Sequence, residues 1–175
     1  MGSFIYLDNS NLWIEGKKVS AVKKGMALDV YEATQTGTFD NSFRLDFGEV
    51  LKIANNEPIK KASFYGSKPP DNDSLWNAVK RLGFKLDIKD RVHNKEKGVD
   101  SALITDAMED FYTIAKPKDV FIIIAGDGDF IPLVEKLKAK HEVFVLFWDH
   151  AAGNLKRKCT KFISLNSHLP QLKKS

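Results

Sequence analysis

Cysteine is nearly absent: Cys159 is the single one in 175 residues. A lone cysteine closes no internal disulfide and has no second thiol at metal-ligand spacing, so a disulfide scaffold and a cysteine-built zinc site both drop out. It reads instead as a small apolar residue packed in the last helix. Histidine is scarce too, with four residues in no cluster, which disfavours hydrolysis on an imidazole-held zinc. Long apolar runs are missing. The longest, at 120–125 and 143–148, fall far short of the roughly 20 residues that cross a bilayer, and the first residues lack the basic-then-apolar layout of a signal peptide. These absences predict a cytoplasmic protein with no membrane attachment. No low-complexity tract and no long internal repeat is visible, which excludes solenoid and linker architectures. What is there suffices for one domain: 43% hydrophobic residues can fill a sizeable core. The net charge of +4 favours an anionic partner only weakly, but more so if the aspartates gather at one place.

They do gather. Residues 119–130, DVFIIIAGDGDF, begin with a β-branched apolar run that reads as a parallel strand buried on both faces. The run stops at Gly126, Asp127, Gly128 and Asp129, where glycine permits a tight turn and the aspartates project from it. A helix follows, with Asp129 as its expected N-cap, Pro132 in the first turn and an apolar stripe of Leu133, Val134 and Leu137. Residues 4–7 form another strand with a polar tip, Asp8-Asn9-Ser10-Asn11. A short helix is expected over 12–25, and 26–42 reads as an irregular excursion or hairpin. Asp46 with Glu49 makes a capping box for a helix that Pro58 ends.

Strands are further expected at 61–66, at 84–90 with alternating exposure near a sheet edge, at 143–148 and at 162–165. Helices are expected at 75–82, at 99–112 and around Leu155. Residues 91–98 form a basic loop, Lys156, Arg157, Lys158 and Lys161 read as a solvated helix face, and the basic tail reads as loose. The alternation implies an α/β fold, a three-layer α/β/α sandwich around a central, mostly parallel sheet with strand order 3-2-1-4-5. In that order the first and fourth strands are neighbours where the winding reverses, the place where such sheets bind ligands. Asp8 then meets Asp127 and Asp129, and Asp100 opens a helix at the same end.

Each aspartate alone reads most simply as a cap or turn residue. Four from three segments at one crevice repel one another unless a cation intervenes. A hard ion, Mg²⁺ or Mn²⁺, takes oxygen ligands and keeps several waters. Such a centre polarises a phosphoryl oxygen and activates water, so a phosphate ester is the natural substrate.

Three segments carry a resemblance: LDNSNL at 7–12, KGVDSALITDA at 97–107 and AGDGDFIPLVEKL at 125–137. Together they resemble the NYN domain, the LabA-like branch of the PIN-like metal-dependent ribonucleases, in the family's order and over nearly the whole chain. The resemblance implies an acidic metal site of Asp8, Asp100, Asp127 and Asp129, with Asn11 and Asp106 as supporting groups. Asn9 stands where many relatives have glycine, and Ala125 where serine is common. The expected activity is cleavage of RNA by an endoribonuclease using Mg²⁺ or Mn²⁺, with no organic cofactor, and with Arg91, Lys95 and Lys97 of the basic loop gripping the RNA backbone. Two alternatives stand beside it. One is a non-catalytic RNA-binding or scaffold protein that keeps the acidic site. The other is a phosphomonoesterase, disfavoured because Ser10 stands two residues after Asp8, where haloacid-dehalogenase-type enzymes place a second aspartate.

Overall fold

The apolar runs picked out above fold as parallel strands of one sheet, and the segments between them fold as helices. The structure, a computed structural model, describes residues 1–54, 57–68, 73–93 and 98–174. In chain order the elements are β1 (Ser3–Asp8), α1 (Asn9–Lys23), α2 (Val30–Thr36), α3 (Phe47–Ala54), β2 (Ile59–Ser67), α4 (Asp73–Arg81), β3 (Lys85–Lys89), α5 (Val99–Thr113), β4 (Val120–Ile124), α6 (Ile131–Lys138), β5 (Glu142–Phe147), α7 (Gly153–Lys158), β6 (Lys161–Ser164) and α8 (Leu169–Leu172). The six strands lie in the order β3-β2-β1-β4-β5-β6, every neighbouring pair parallel. This is the expected order with one strand added at the edge.

Because side chains alternate along a strand, β1 and β4 feed two cores at once. Ile5, Leu7, Ile122 and Ile124 pack on one face with Leu12 of α1, Phe47 and Val50 of α3, Val79 of α4 and Leu172 of α8. Phe4, Tyr6, Phe121 and Ile123 pack on the other with Leu103 and Phe111 of α5, Leu133 and Leu137 of α6 and Leu155 of α7. Cys159 lies buried in this second core, and burial pushes its thiol up from the usual value. Asp46 caps α3 as its motif predicts, accepting the N–H groups of Gly48 and Glu49 at 2.9 and 3.1 Å.

Two expectations need correction. The excursion expected over 26–42 contains a helix, α2, which Asp29 caps by accepting the Glu32 N–H at 2.7 Å, while the short helix expected over 12–25 forms as α1 and starts earlier, at Asn9. The tail is pinned rather than loose. Leu169 and Leu172 are buried, the Asp46 N–H donates to the Leu172 carbonyl, and the Lys174 N–H donates to the Arg44 carbonyl.

Candidate active site

The chain runs β1 to β2 to β3 on one side of β1 and then crosses to β4 on the other. The carboxyl ends of β1 and β4 therefore face a crevice with no strand connection across it. Leu7 pairs with Ile124, so Asp8 lies level with Ala125 and just before the turn at 126–129. Asp8 is 5% exposed, and its Oδ1 accepts the Asn11 N–H at 3.2 Å, which caps α1. At Gly126 a Cβ would fall 2.1 Å from the Phe147 ring, so only glycine lets the turn pass against β5. Asp127 Oδ1 accepts the Asp129 N–H at 3.0 Å and opens a 3₁₀ turn that leads into α6. The cap at this turn is thus Asp127 and not the expected Asp129: the 3₁₀ turn starts before the helix and takes the earlier carboxylate. Gly98, at φ 78°, brings the chain into α5 through the left-handed region, with Asp100 in the helix's first turn.

A cleft of about 390 Å³ lies between these three segments. Asp8, Asp100 and Asp127 line it, joined by Asn11 and Glu15 of α1 and by Gly98 and Ser101 at the start of α5. Asp129 is exposed on the turn and is not part of this lining. The donors facing the cleft are carboxylate, amide and hydroxyl oxygens, the set that hard divalent ions take. Among the described residues no group of three or more acids, histidines or cysteines is placed so that it could hold a metal ion. The open arrangement suits Mg²⁺, which takes one or two carboxylates and keeps waters. Asn11 supplies the specific sign of fit: its Oδ1 is buried and has no hydrogen-bond partner, though the residue lines the cleft. A buried orphan oxygen is costly unless something fills its valence.

The remaining sequence candidates fall elsewhere. Asp106 accepts the Tyr65 hydroxyl at 2.6 Å, tying α5 to β2, and does not reach the cleft lining. With burial, that contact pushes the Tyr65 hydroxyl far above its usual value. Arg91 is exposed, and its Nε donates to Ser67 Oγ at 3.0 Å at the end of β2. Lys95 and Lys97 lie outside the described residues. Asn9, at the position where relatives carry glycine, needs no left-handed backbone, and its side chain is buried beside Gly66. Ala125 is fully buried against the second core, where a methyl suits the site.

Glu15 is the cleft carboxylate that sequence reasoning missed. Its Oε1 accepts Lys18 Nζ at 2.8 Å and its Oε2 pairs with His150 Nε2 at 2.6 Å. Burial alone would raise its carboxyl, but these two partners outweigh burial and hold it below the usual carboxylate range. The pair with His150 braces α1 against the turn between β5 and α7. Its signal was available in the spacing, since Asn11 and Glu15 are four residues apart and share a helix face once α1 is known to start at Asn9.

Comparison with known proteins fits this architecture. The family model for the NYN domain matches residues 9–166. The fold is similar to that in the crystal structure of a protein of unknown function from Vibrio parahaemolyticus, with 18% identity, a TM-score of 0.65, and coverage of 94% of this chain and 93% of that one. At that identity the likeness is one of fold. No curated protein matches the chain.

Proposed function

The chain belongs to the NYN domain family, within the PIN-like nuclease superfamily, and from that premise we propose that it is a divalent-metal-dependent endoribonuclease of the cytoplasm acting at the cleft between β1, β4 and α5. The observation that carries the reading is the lining of one cleft by three carboxylates from three separate segments, together with Asn11, whose buried Oδ1 has no hydrogen-bond partner. Asp8, Asp100 and Asp127 would hold Mg²⁺ or Mn²⁺ directly or through water, Asp129 would extend the acidic turn, and Asn11 would steady the Asp8 carboxylate through its backbone N–H and offer its own unpartnered oxygen. Bound there, the ion supplies charge stabilisation at the phosphoryl group and an activated water. The protein's own residues do the positioning. The α1 cap holds Asp8 in place, the turn locked by Gly126 holds Asp127, and Gly98 sets the angle at which Asp100 enters.

Labelled single-stranded RNA with Mn²⁺ or Mg²⁺ tests this, with EDTA and an Asp127→Asn variant in parallel. Asparagine keeps the turn contact to the Asp129 N–H while removing the charge, so circular dichroism of the variant should match the wild type. Cutting that needs metal and falls at least 100-fold in the variant supports the nuclease. RNA bound but never cut, with metal present, overturns it in favour of a binding or scaffold protein. Turnover of a generic aryl phosphate without RNA cleavage would mark a phosphomonoesterase.

A further inference from the structure

An acidic cleft repels a nucleic acid everywhere except at the ion, so a strand threaded through it needs cations at the margin. The structure offers one on α7. The Ala152 N–H donates to the Gly126 carbonyl at 2.9 Å, and a Cβ on Gly128 would stand 3.7 Å from the Ala152 methyl, so the start of α7 abuts the turn that carries Asp127. Three cations follow one another there, and two are engaged. Lys156 donates to the Asp149 carbonyl and lies 5.3 Å over the Phe162 ring, while Lys158 pairs with Glu135 at 2.7 Å. Arg157 is exposed, and among the described residues no carboxylate pairs with it. Its guanidinium folds back over the start of α7, with Nη1 3.3 Å from the place a Gly153 Cβ would take, and it donates to the Asn154 side-chain oxygen.

We propose that Arg157 is a phosphate-gripping residue for the RNA strand as it leaves the cleft, with Asn154 holding the guanidinium fork in position. The inference rests on the nuclease reading and adds a path to it. The scissile phosphate sits at the carboxylates, and a neighbouring phosphate sits at Arg157. A planar guanidinium with most of its five donors unspent matches a phosphate's oxygens two at a time.

The test uses the full chain. Anisotropy of a labelled single-stranded RNA in EDTA, over a salt series, reads binding without turnover, and steady-state cleavage with Mn²⁺ reads KM and kcat. Arg157→Gln should raise Kd and KM about 5- to 10-fold, leave kcat within about twofold, and reduce the slope of log K against log salt by about 0.7, the share of one single-strand phosphate. Arg157→Lys should restore the slope but only part of the affinity, because lysine keeps the charge without the fork. Arg81→Gln, in the last turn of α4 before β3 begins, removes a charge at the opposite end of the sheet and should leave all three readings unchanged. An Arg157→Gln protein with unchanged Kd, KM and slope, in a wild type that cuts RNA, overturns the inference alone. A collapse of kcat with KM unchanged also overturns it, by moving Arg157 into the chemical step. RNA bound but not cut, and bound less well by Arg157→Gln, upholds the contact while removing the nuclease. Wild-type protein that neither binds nor cuts removes both.

Discussion

At the end of β1 one carboxylate holds two roles that a substitution can separate. Asp8 caps α1 through the Asn11 N–H at 3.2 Å and also lines the cleft. Asparagine caps a helix about as well as aspartate, whereas alanine loses about 1 kcal/mol. Asp8→Asn should therefore unfold thermally within about 2 °C of the wild type, since a shift of a few tenths of a kcal/mol moves a chain of this size by that much or less. Asp8→Ala should fall further, and both should lose metal-dependent RNA cleavage at least 100-fold. Thermal unfolding followed beside the cleavage assay checks the pair. Cleavage retained by folded Asp8→Asn would remove Asp8 from the site. This double use is why the residue was legible in the sequence: a strand end, a polar tip and a helix start all converge on one aspartate. Glu15 is harder to read, because its spacing from Asn11 counts only once α1 is known to start at Asn9, and its partner His150 lies 135 residues away, where only the fold brings it.

The helix that carries Glu15 shows where sequence periodicity gives out. α1 buries Leu12 and Val19, but also Gly16, Lys18 and Ser20, so its inward face lacks the apolar stripe by which helices are recognised. The polar members are matched in place: Lys18 by Glu15 at 2.8 Å and Ser20 by Asp40 at 2.6 Å. By contrast β4, apolar along its whole length, and the box at Asp46 and Glu49 announced themselves, since each follows from residues adjacent in the chain. Gly16 turns this into a prediction of sign. Glycine inside a helix ordinarily costs up to about 1 kcal/mol relative to alanine, so Gly16→Ala would be expected to stabilise. Here a Cβ would lie 2.7 Å from Trp148 and 2.9 Å from Phe43. Trp148 cannot step aside easily, because it is fully buried and its Nε1 donates to the Leu12 carbonyl at 2.9 Å. Overpacking typically costs 1–3 kcal/mol, which exceeds the propensity gain. Gly16→Ala should lower the urea midpoint with an unchanged m-value, and a higher midpoint would refute the close packing of α1 on Trp148.

Across the whole molecule the carboxylates divide between those that face the cleft and those that hold the layers together, and the second group sets the response to acid. Asp119 is buried and accepts Lys60 Nζ at 2.7 Å together with the N–H groups of Gly2 and Lys116, tying the amino ends of β1, β2 and β4. Asp40 is buried with Lys24 at 2.7 Å and with the Ser20 and Ser42 hydroxyls, tying α1 to the segment before α3. Burial would raise both carboxyls, but in each the partners win and hold the group below the usual carboxylate range. The unfolded chain therefore binds more protons than the folded one below the ordinary aspartate value of about 4. Stability from these pairs is complete above about pH 5 and drains away as pH falls through and below 4, with no comparable loss toward neutral pH. Asp119→Ala leaves Lys60 and two buried N–H groups without their acceptor and should cost roughly 3 kcal/mol at pH 7, the scale for breaking a buried pair. That is about 6–12 °C in Tm for a chain of this size. Its urea midpoint should also change less between pH 5 and pH 3 than the wild type's, because one of the proton-linked groups is gone. Equal slopes in the two proteins would show that acid acts through carboxylates other than Asp119. The cleft aspartates would then be next to examine, with Asp8→Asn, neutral to the cap, as the variant that separates them.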